Sequence, residues 1–176
     1  MKRVAFLLAN DYEDSEIKTP YEAIKSAGYE TVIVGLKKGE QLVGKNRQAR
    51  YTVDASIDEV RADQFDAVVI PGGSSPENLR LNQQVLQFVK DMDRQGKVIA
   101  AICHGPQILI SAGLTKGKKM TCYPPLRDDL INAGATYVDQ EVVVDGNYIT
   151  SRMPADEPAF IRETLSKLRT PVSQPS

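Results

Sequence analysis

The chain has 176 residues, of which 41% are hydrophobic and 26% charged, and its formal net charge is -1. A chain of this length predicts one domain that buries its core without disulfides or metals. The balanced charge gives no electrostatic reason to expect a membrane surface or a specific nucleic acid as partner. No apolar run approaches the ~20 residues of a membrane span. The first residues lead straight into a strand pattern rather than a signal peptide, so we expect a cytoplasmic protein.

The chain contains two cysteines, Cys103 and Cys122, and one histidine, His104. Two cysteines are too few for a disulfide framework, so we expect free thiols in a reducing compartment. The same residues cannot supply a convincing zinc site. We therefore expect neither a metal nor another cofactor.

Apolar runs alternate with helix-like patterns along the chain. In chain order, the patterns predict a strand at 4–9, a helix at 17–27, a strand at 30–36, a hairpin-like excursion at 39–51, a strand at 67–70, a non-helical loop at 71–76, a helix at 78–95, a strand at 98–102, helices at 105–112 and 125–133, strands at 141–144 and 148–151, and a helix at 156–168. Strands that are apolar at every position are typical of a parallel sheet covered on both faces. The sequence therefore predicts one doubly wound α/β domain over residues 1–169 and a flexible tail at 170–176.

Three loops follow the carboxyl ends of predicted strands, at residues 10–16, at residues 71–77 and from Cys103 onward. Open parallel sheets bind their ligands at this edge. Together the loops offer carboxylates, glycine amides and a thiol, which are the groups used in acyl or carbonyl chemistry. We therefore expect the functional site where these loops meet.

Cys103 ends a small-apolar strand and is followed at once by His104, Gly105 and Pro106. This pattern predicts a sharp strand-to-helix turn, a nucleophile elbow, with the side chain at a helix N-terminus. Backbone N–H groups and the helix dipole would favour the thiolate there. Cys103 is therefore the candidate nucleophile, and the alternative is an inert buried cysteine. Burial is the expectation for Cys122, which lacks this context.

A thiolate that attacks a carbonyl creates an oxyanion, which needs hydrogen-bond donors. Gly72 and Gly73 lie one strand from the cysteine, and they can turn their N–H groups inward because they lack a Cβ. With the N–H of His104 they form a candidate oxyanion hole. The alternative for the two glycines is a turn that requires positive φ.

Three acids, Glu13, Asp14 and Glu16, stand in the first loop. One interpretation is that they complement the dipole of the following helix. The other is that one carboxyl lies beside the thiol in a partly dry cleft, where its pKa would rise and it could move a proton. Glu16 is the first candidate for this role and Glu13 the second.

His104 is the obvious general base, but a residue adjacent to the nucleophile usually projects in another direction. If it takes part, it needs an orienting acid, and Glu77 in the glycine loop is a candidate, supplied by a neighbouring subunit. The alternative for His104 is a partly exposed residue that packs near an interface.

The chain resembles the PfpI family of intracellular cysteine hydrolases, in the superfamily of the Parkinsonism-associated deglycase. The resemblance covers residues 3–168. It is carried by the segments Ala9-Asn10-Asp11-Tyr12-Glu13-Asp14, Pro71-Gly72-Gly73, Pro76-Glu77, Ala101-Ile102-Cys103-His104-Gly105-Pro106-Gln107, Thr121-Cys122-Tyr123-Pro124, Asp128-Asp129-Leu130-Ile131-Asn132-Ala133-Gly134 and Val144-Asp145-Gly146-Asn147.

The resemblance implies a flavodoxin-like three-layer sandwich with Cys103 on the elbow and Glu16 hydrogen-bonded to its sulfur. It also implies oligomers built from dimers, with Glu77 of one subunit completing a Cys-His pair in another. Tyr123 stands where the protease-like branch has a tyrosine and the deglycase proper a histidine. This places the chain nearer the protease-like branch.

Three functions follow from these expectations. The first is a carbonyl-stress enzyme, a glyoxalase or deglycase that acts on methylglyoxal or early glycation adducts through Cys103. The second is a cysteine peptidase that uses the intersubunit triad. The third is a redox-sensing stress protein or chaperone in which Cys103 is oxidised rather than turned over.

Overall fold

The structure is a computed structural model and describes residues 2–170. Its strands are β1 (Arg3–Leu7), β2 (Glu30–Gly35), β3 (Gln41–Val43), β4 (Arg50–Thr52), β5 (Ala55–Ser56), β6 (Ala67–Ile70), β7 (Val98–Ile102), β8 (Lys119–Met120), β9 (Thr136–Tyr137), β10 (Val143–Asp145) and β11 (Tyr148–Ser151). Its α-helices are α1 (Asp14–Ser26), α2 (Ser75–Leu79), α3 (Gln83–Arg94), α4 (Pro106–Ser111), α5 (Arg127–Asn132) and α6 (Glu157–Arg169).

Seven strands form the central sheet in the order β10-β11-β7-β6-β1-β2-β5. Every neighbouring pair is parallel except β10 with β11, which are joined as an antiparallel hairpin. The predicted flavodoxin-like α/β fold is confirmed. The sequence order reverses between β1 and β6, so the carboxyl ends of β1, β6 and β7 lie side by side.

The sheet is buried on both faces, which explains why its inner strands are apolar at every position. Along β1, Val4 and Phe6 belong to one core cluster, whereas Ala5 and Leu7 belong to the other. Helices α1 and α6 cover the first face, and α2, α3, α4 and α5 cover the second. The result is a three-layer sandwich.

The helix predicted at 78–95 is in fact two helices, α2 and α3. The chain breaks at Asn82, whose side-chain oxygen accepts the N–H groups of Gln84 and Val85 and so caps α3. The predicted non-helical loop at 71–76 is also too long, because α2 begins at Ser75. Pro76 is tolerated there because the first helical turn needs no N–H from it.

Two smaller sheets complete the described chain. The antiparallel pair β3–β4 is the excursion predicted at 39–51, whereas the parallel pair β8–β9 was not predicted. No helix among residues 2–170 is long and apolar enough to cross a membrane. Most of the predicted tail, residues 171–176, lies outside the described residues.

Replacing Asn82 by alanine removes the acceptor for two backbone N–H groups at the start of α3. We expect the free energy of unfolding to fall by about 1 kcal/mol, measured by urea denaturation. Asn78→Ala, at an exposed position on α2, is the matched control and should change stability by less. An Asn82→Ala midpoint equal to that of the wild type would contradict the assigned cap.

Candidate active site

The three loops predicted to form the site do meet at the carboxyl edge of the sheet. Tyr12 of the first loop forms a β-bridge with Gly73 of the glycine loop, and the N–H of Glu13 donates to the carbonyl of Gly72 at 3.2 Å. The carbonyl of Cys103 accepts the N–H of Tyr123 at 2.9 Å, which adds a fourth segment.

Cys103 occupies a strained turn between β7 and α4. Its φ is +63°, in the left-handed region that non-glycine residues rarely adopt. Its N–H donates to the carbonyl of Ser151 at 3.0 Å, which fixes the turn to the end of β11. This is the predicted nucleophile elbow. The residue is 6% exposed, so a reactant reaches the sulfur only at the rim of the sheet.

His104 reaches the sulfur, although its adjacency to Cys103 argued against this. Its Nδ1 lies 3.2 Å from Sγ of Cys103. The imidazole stacks on the ring of Tyr123, with 4.9 Å between centroids. Burial lowers the pKa of His104, and the charge of Lys45 lowers it further, against a raising effect of Glu77. A neutral imidazole with an unprotonated Nδ1 can accept the thiol proton.

Glu16 lies in α1, is fully buried, and accepts the N–H of Gly72 at 2.8 Å through Oε1. Its Oε2 is buried without a hydrogen-bond partner. Gly72 has to be glycine for this contact, because a Cβ would lie 2.5 Å from that Oε1 and 2.9 Å from Cβ of Cys103. The carboxyl is therefore packed beside the cysteine, but it hydrogen-bonds the glycine loop rather than the sulfur that the resemblance implied.

Burial raises the pKa of Glu16 to about 8, and the charges of Glu13 and Glu157 raise it too, against the lowering effect of the Gly72 N–H. At neutral pH the carboxyl therefore carries its proton. A buried carboxyl with a pKa near the working pH is suited to move protons.

Burial and the expected N–H groups act in opposite directions on the pKa of the Cys103 thiol. Burial raises this pKa, and the charge of Glu16 raises it further once that carboxyl is ionised, above a pH of about 8. The N–H groups of Gly73 and His104 and the charge of Lys45 lower it, but they do not outweigh burial. Nδ1 of His104 lies 3.2 Å from the sulfur and is placed to accept its proton.

The N–H groups of two of the three predicted oxyanion donors, Gly73 and His104, lower the pKa of Cys103. The N–H of Gly72 does not serve this role, because it is occupied by Glu16. Gly72 instead allows the close approach of Glu16 and Cys103.

Within residues 2–170, the other predicted acids make no hydrogen bond to the sulfur. Glu13 forms an ion pair with Lys45, with 2.5 Å between Oε2 and Nζ. Glu77 is exposed on α2 and acts on His104 through its charge alone, without a hydrogen bond within the described chain. Asp14 is buried and accepts three backbone N–H groups of residues 46–49, so it anchors a loop rather than complementing a helix dipole.

Sequence reasoning missed Lys45, the cation of the site. It lies in the hairpin between β3 and β4, which follows the carboxyl end of β2 and therefore opens at the same edge as the other loops. The position of this hairpin after the carboxyl end of a predicted strand was the sequence signal that could have pointed to Lys45. By contrast, Cys122 packs in the core cluster on the opposite face of the sheet from Cys103, so burial is its role.

Among residues 2–170, no group of three or more His, Cys, Asp or Glu side chains is placed to hold a metal ion. The chemistry available to the described residues is that of a thiol, an imidazole, a buried carboxyl and two N–H donors. A family model described as DJ-1/PfpI matches residues 2–167.

The chain belongs to the DJ-1/PfpI family. Among its relatives, "Deglycase PH1704" of Pyrococcus horikoshii is 47% identical over 167 residues, which are 95% of this chain and 99% of the relative. "Protein/nucleic acid deglycase 2" of Escherichia coli is 45% identical over 168 residues, which are 95% and 98% of the two chains.

The fold of this DJ-1/PfpI chain also matches solved structures. A two-domain protein of Anabaena variabilis, with DJ-1/ThiJ/PfpI-like and ferritin-like domains, superimposes with a TM-score of 0.95 at 41% identity. The match covers 100% of this chain and 50% of that protein, so this chain spans about half its length.

Replacing Glu16 by glutamine should stabilise this DJ-1/PfpI protein at alkaline pH. In the unfolded chain the carboxyl ionises near 4.5, whereas in the folded chain it holds its proton up to about 8. Folding therefore becomes less favourable as pH rises from 4.5 to 8. The glutamine removes this penalty, so the melting temperature should exceed that of the wild type at pH 8, by an amount equivalent to about 2–4 kcal/mol, and match it at pH 4.

Calorimetry at the two pH values measures the effect. Glu22→Gln, at an exposed position of α1, is the matched control. A Glu16→Gln melting temperature at or below that of the wild type at pH 8 would show that the buried carboxyl is ionised in the folded protein.

Proposed function

We propose that this chain is a carbonyl-stress deglycase that uses Cys103 to remove early methylglyoxal adducts and to convert methylglyoxal to lactate. The observation that supports this most directly is the distance of 3.2 Å between Sγ of Cys103 and Nδ1 of His104. The N–H groups of Gly73 and His104 lower the pKa of the same thiol. The relatives named deglycases agree with this chemistry.

The reaction begins when Nδ1 of His104 accepts the thiol proton and the sulfur bonds to the aldehyde carbon. The oxygen of that carbon gains negative charge, which the N–H groups of Gly73 and His104 stabilise until the imidazolium returns the proton. The product is a hemithioacetal on Cys103. With a glycated amine, the sulfur takes the place of the amine, which leaves with the thiol proton.

Glu16 is suited to the next step because it carries a proton at neutral pH. It gives that proton to the ketone oxygen and accepts the proton of the sulfur-bound carbon, which forms an enediol. It then protonates the second carbon and takes back the enol proton. The result is a lactoyl thioester, reached without any external oxidant or reductant.

Water completes the cycle. It adds to the thioester carbonyl, again beside the two N–H donors, and releases lactate while the sulfur regains its proton. The same carboxyl that moved the proton is protonated at the end, so the site is ready for another adduct.

A peptidase is the second candidate, and one observation favours it. Glu77 is exposed and is therefore accessible to a neighbouring copy of the chain. In an assembly of copies, Glu77 of a neighbouring chain could orient that imidazole, with Tyr123 stacked on its other side. This reading includes the proposal that the chain forms dimers or larger oligomers in the cytoplasm.

Replacing Cys103 by serine should reduce lactate formation from methylglyoxal by at least about a thousandfold, because an alcohol is a far weaker nucleophile than a thiol. Cys122→Ser is the matched control and should retain the rate, since that sulfur lies on the opposite face of the sheet. Steady-state assays with methylglyoxal, a glycated amino acid and a peptide identify the substrate class. Turnover retained by Cys103→Ser would refute the mechanism, and peptide cleavage alone would favour the peptidase.

A further inference from the structure

The tip of the β3–β4 hairpin, residues 44–49, is fastened to the start of α1. The buried carboxylate of Asp14 accepts the N–H groups of Asn46, Gln48 and Ala49 at 2.8 to 2.9 Å. Burial alone would raise the pKa of Asp14, but these donors lower it below its ordinary value. The ionised carboxylate of Asp14 therefore holds the tip through backbone N–H groups, and none of these contacts is made with a cation.

This anchoring fixes the position of Lys45. The backbone N–H of Lys45 donates to the carbonyl of Tyr12 at 2.9 Å. Its Nζ pairs with Oε2 of Glu13 at 2.5 Å, and the other oxygen of Glu13 accepts the side-chain amide of Asn46 at 3.2 Å. A lysine carries three N–H donors, and Glu13 is the partner of Nζ within the described chain.

The ammonium is reachable from solvent. The side chain of Lys45 is 48% exposed, whereas that of Glu13 is 16% exposed. A half-exposed ion pair of this kind contributes little to stability, so the lysine can exchange its partner at small cost.

The charge of Lys45 also reaches the reacting groups. Its partner Glu13 donates a backbone N–H to the carbonyl of Gly72, whose own N–H binds Glu16. From this position the charge of Lys45 lowers the pKa of Cys103 and of His104. Glu16 carries its proton at neutral pH, whereas Lys45 and Glu13 form an ion pair beside it.

We propose that Lys45 is a substrate-binding residue, which recognises an anionic substituent, a carboxylate or phosphate, on the molecule attached to Cys103. The incoming anion takes the place of Glu13 on the ammonium. The identity of the substrate, an anionic glycation adduct, rests on the proposed function. The recognition of an anion by Lys45 does not depend on it.

Two alkylating reagents with the same reactive group but different charge test the recognition of the anion directly. Iodoacetate and iodoacetamide both transfer a carbon to the sulfur and release iodide, but only iodoacetate carries a charge. Lys45→Met should lower the ratio of the iodoacetate rate to the iodoacetamide rate at Cys103 by about three- to tenfold. Glu13→Gln should raise the ratio, because it removes the competing carboxylate.

The controls separate charge from structure. Lys45→Arg keeps the charge and should keep a ratio close to that of the wild type. Lys90→Met, at an exposed position of α3, should leave both rates unchanged. A ratio unaffected by Lys45→Met overturns the proposal, and so does an equal decrease of both rates, which would mean that Lys45 acts only on the thiol.

Matched adducts of methylglyoxal then identify the preferred anion. The carboxylate arm compares hemithioacetals of N-acetylcysteine and its uncharged amide, and the phosphate arm compares adducts of guanosine monophosphate and guanosine. We expect kcat/KM to favour the charged member of at least one pair in the wild type and to lose this preference in Lys45→Met. A shifted alkylation ratio without turnover of any adduct would refute the proposed function alone, whereas turnover without charge preference would refute this inference alone.

Discussion

The hydrogen bond between the buried carboxyl of Glu16 and the N–H of Gly72 joins the two halves of the site. It ties the first helix to the glycine loop at the place where the sulfur of Cys103 turns out of the sheet. Because this carboxyl lies away from water, its second oxygen has no partner among the described residues, and burial raises its pKa so that it carries its proton at neutral pH. The buried carboxyl of Glu16 therefore both joins the two loops and keeps the proton that the proposed reaction moves.

This arrangement is unfavourable for folding and favourable for reaction. A carboxyl that ionises readily in water is held neutral, and a cysteine is held at a positive φ. Both features are typical of strain concentrated at functional sites and offset by the rest of the fold. Here the offset comes from the sheet, whose inner strands bury apolar side chains on both faces.

The cation of the site is positioned by a second buried carboxylate. Asp14 and Glu16 stand two positions apart in the same helix, yet burial has opposite outcomes for them. Asp14 meets three backbone donors and stays ionised, whereas Glu16 meets one and stays protonated. The number of donors that the fold supplies decides which acid anchors a loop and which moves a proton.

The sequence by itself determined the sheet, the elbow and the family, because apolar runs and the Cys103-His104-Gly105-Pro106 turn are local signals. It also singled out Glu16, Gly73 and His104. Only the tertiary structure decided which groups touch. The reach of His104, the occupation of the Gly72 N–H and the approach of Lys45 all depend on loops that are distant in sequence and meet at one edge. A raised pKa for Glu16 was predicted from the sequence, but the balance of effects on the pKa of the Cys103 thiol depends on burial and neighbouring charges that no short pattern encodes.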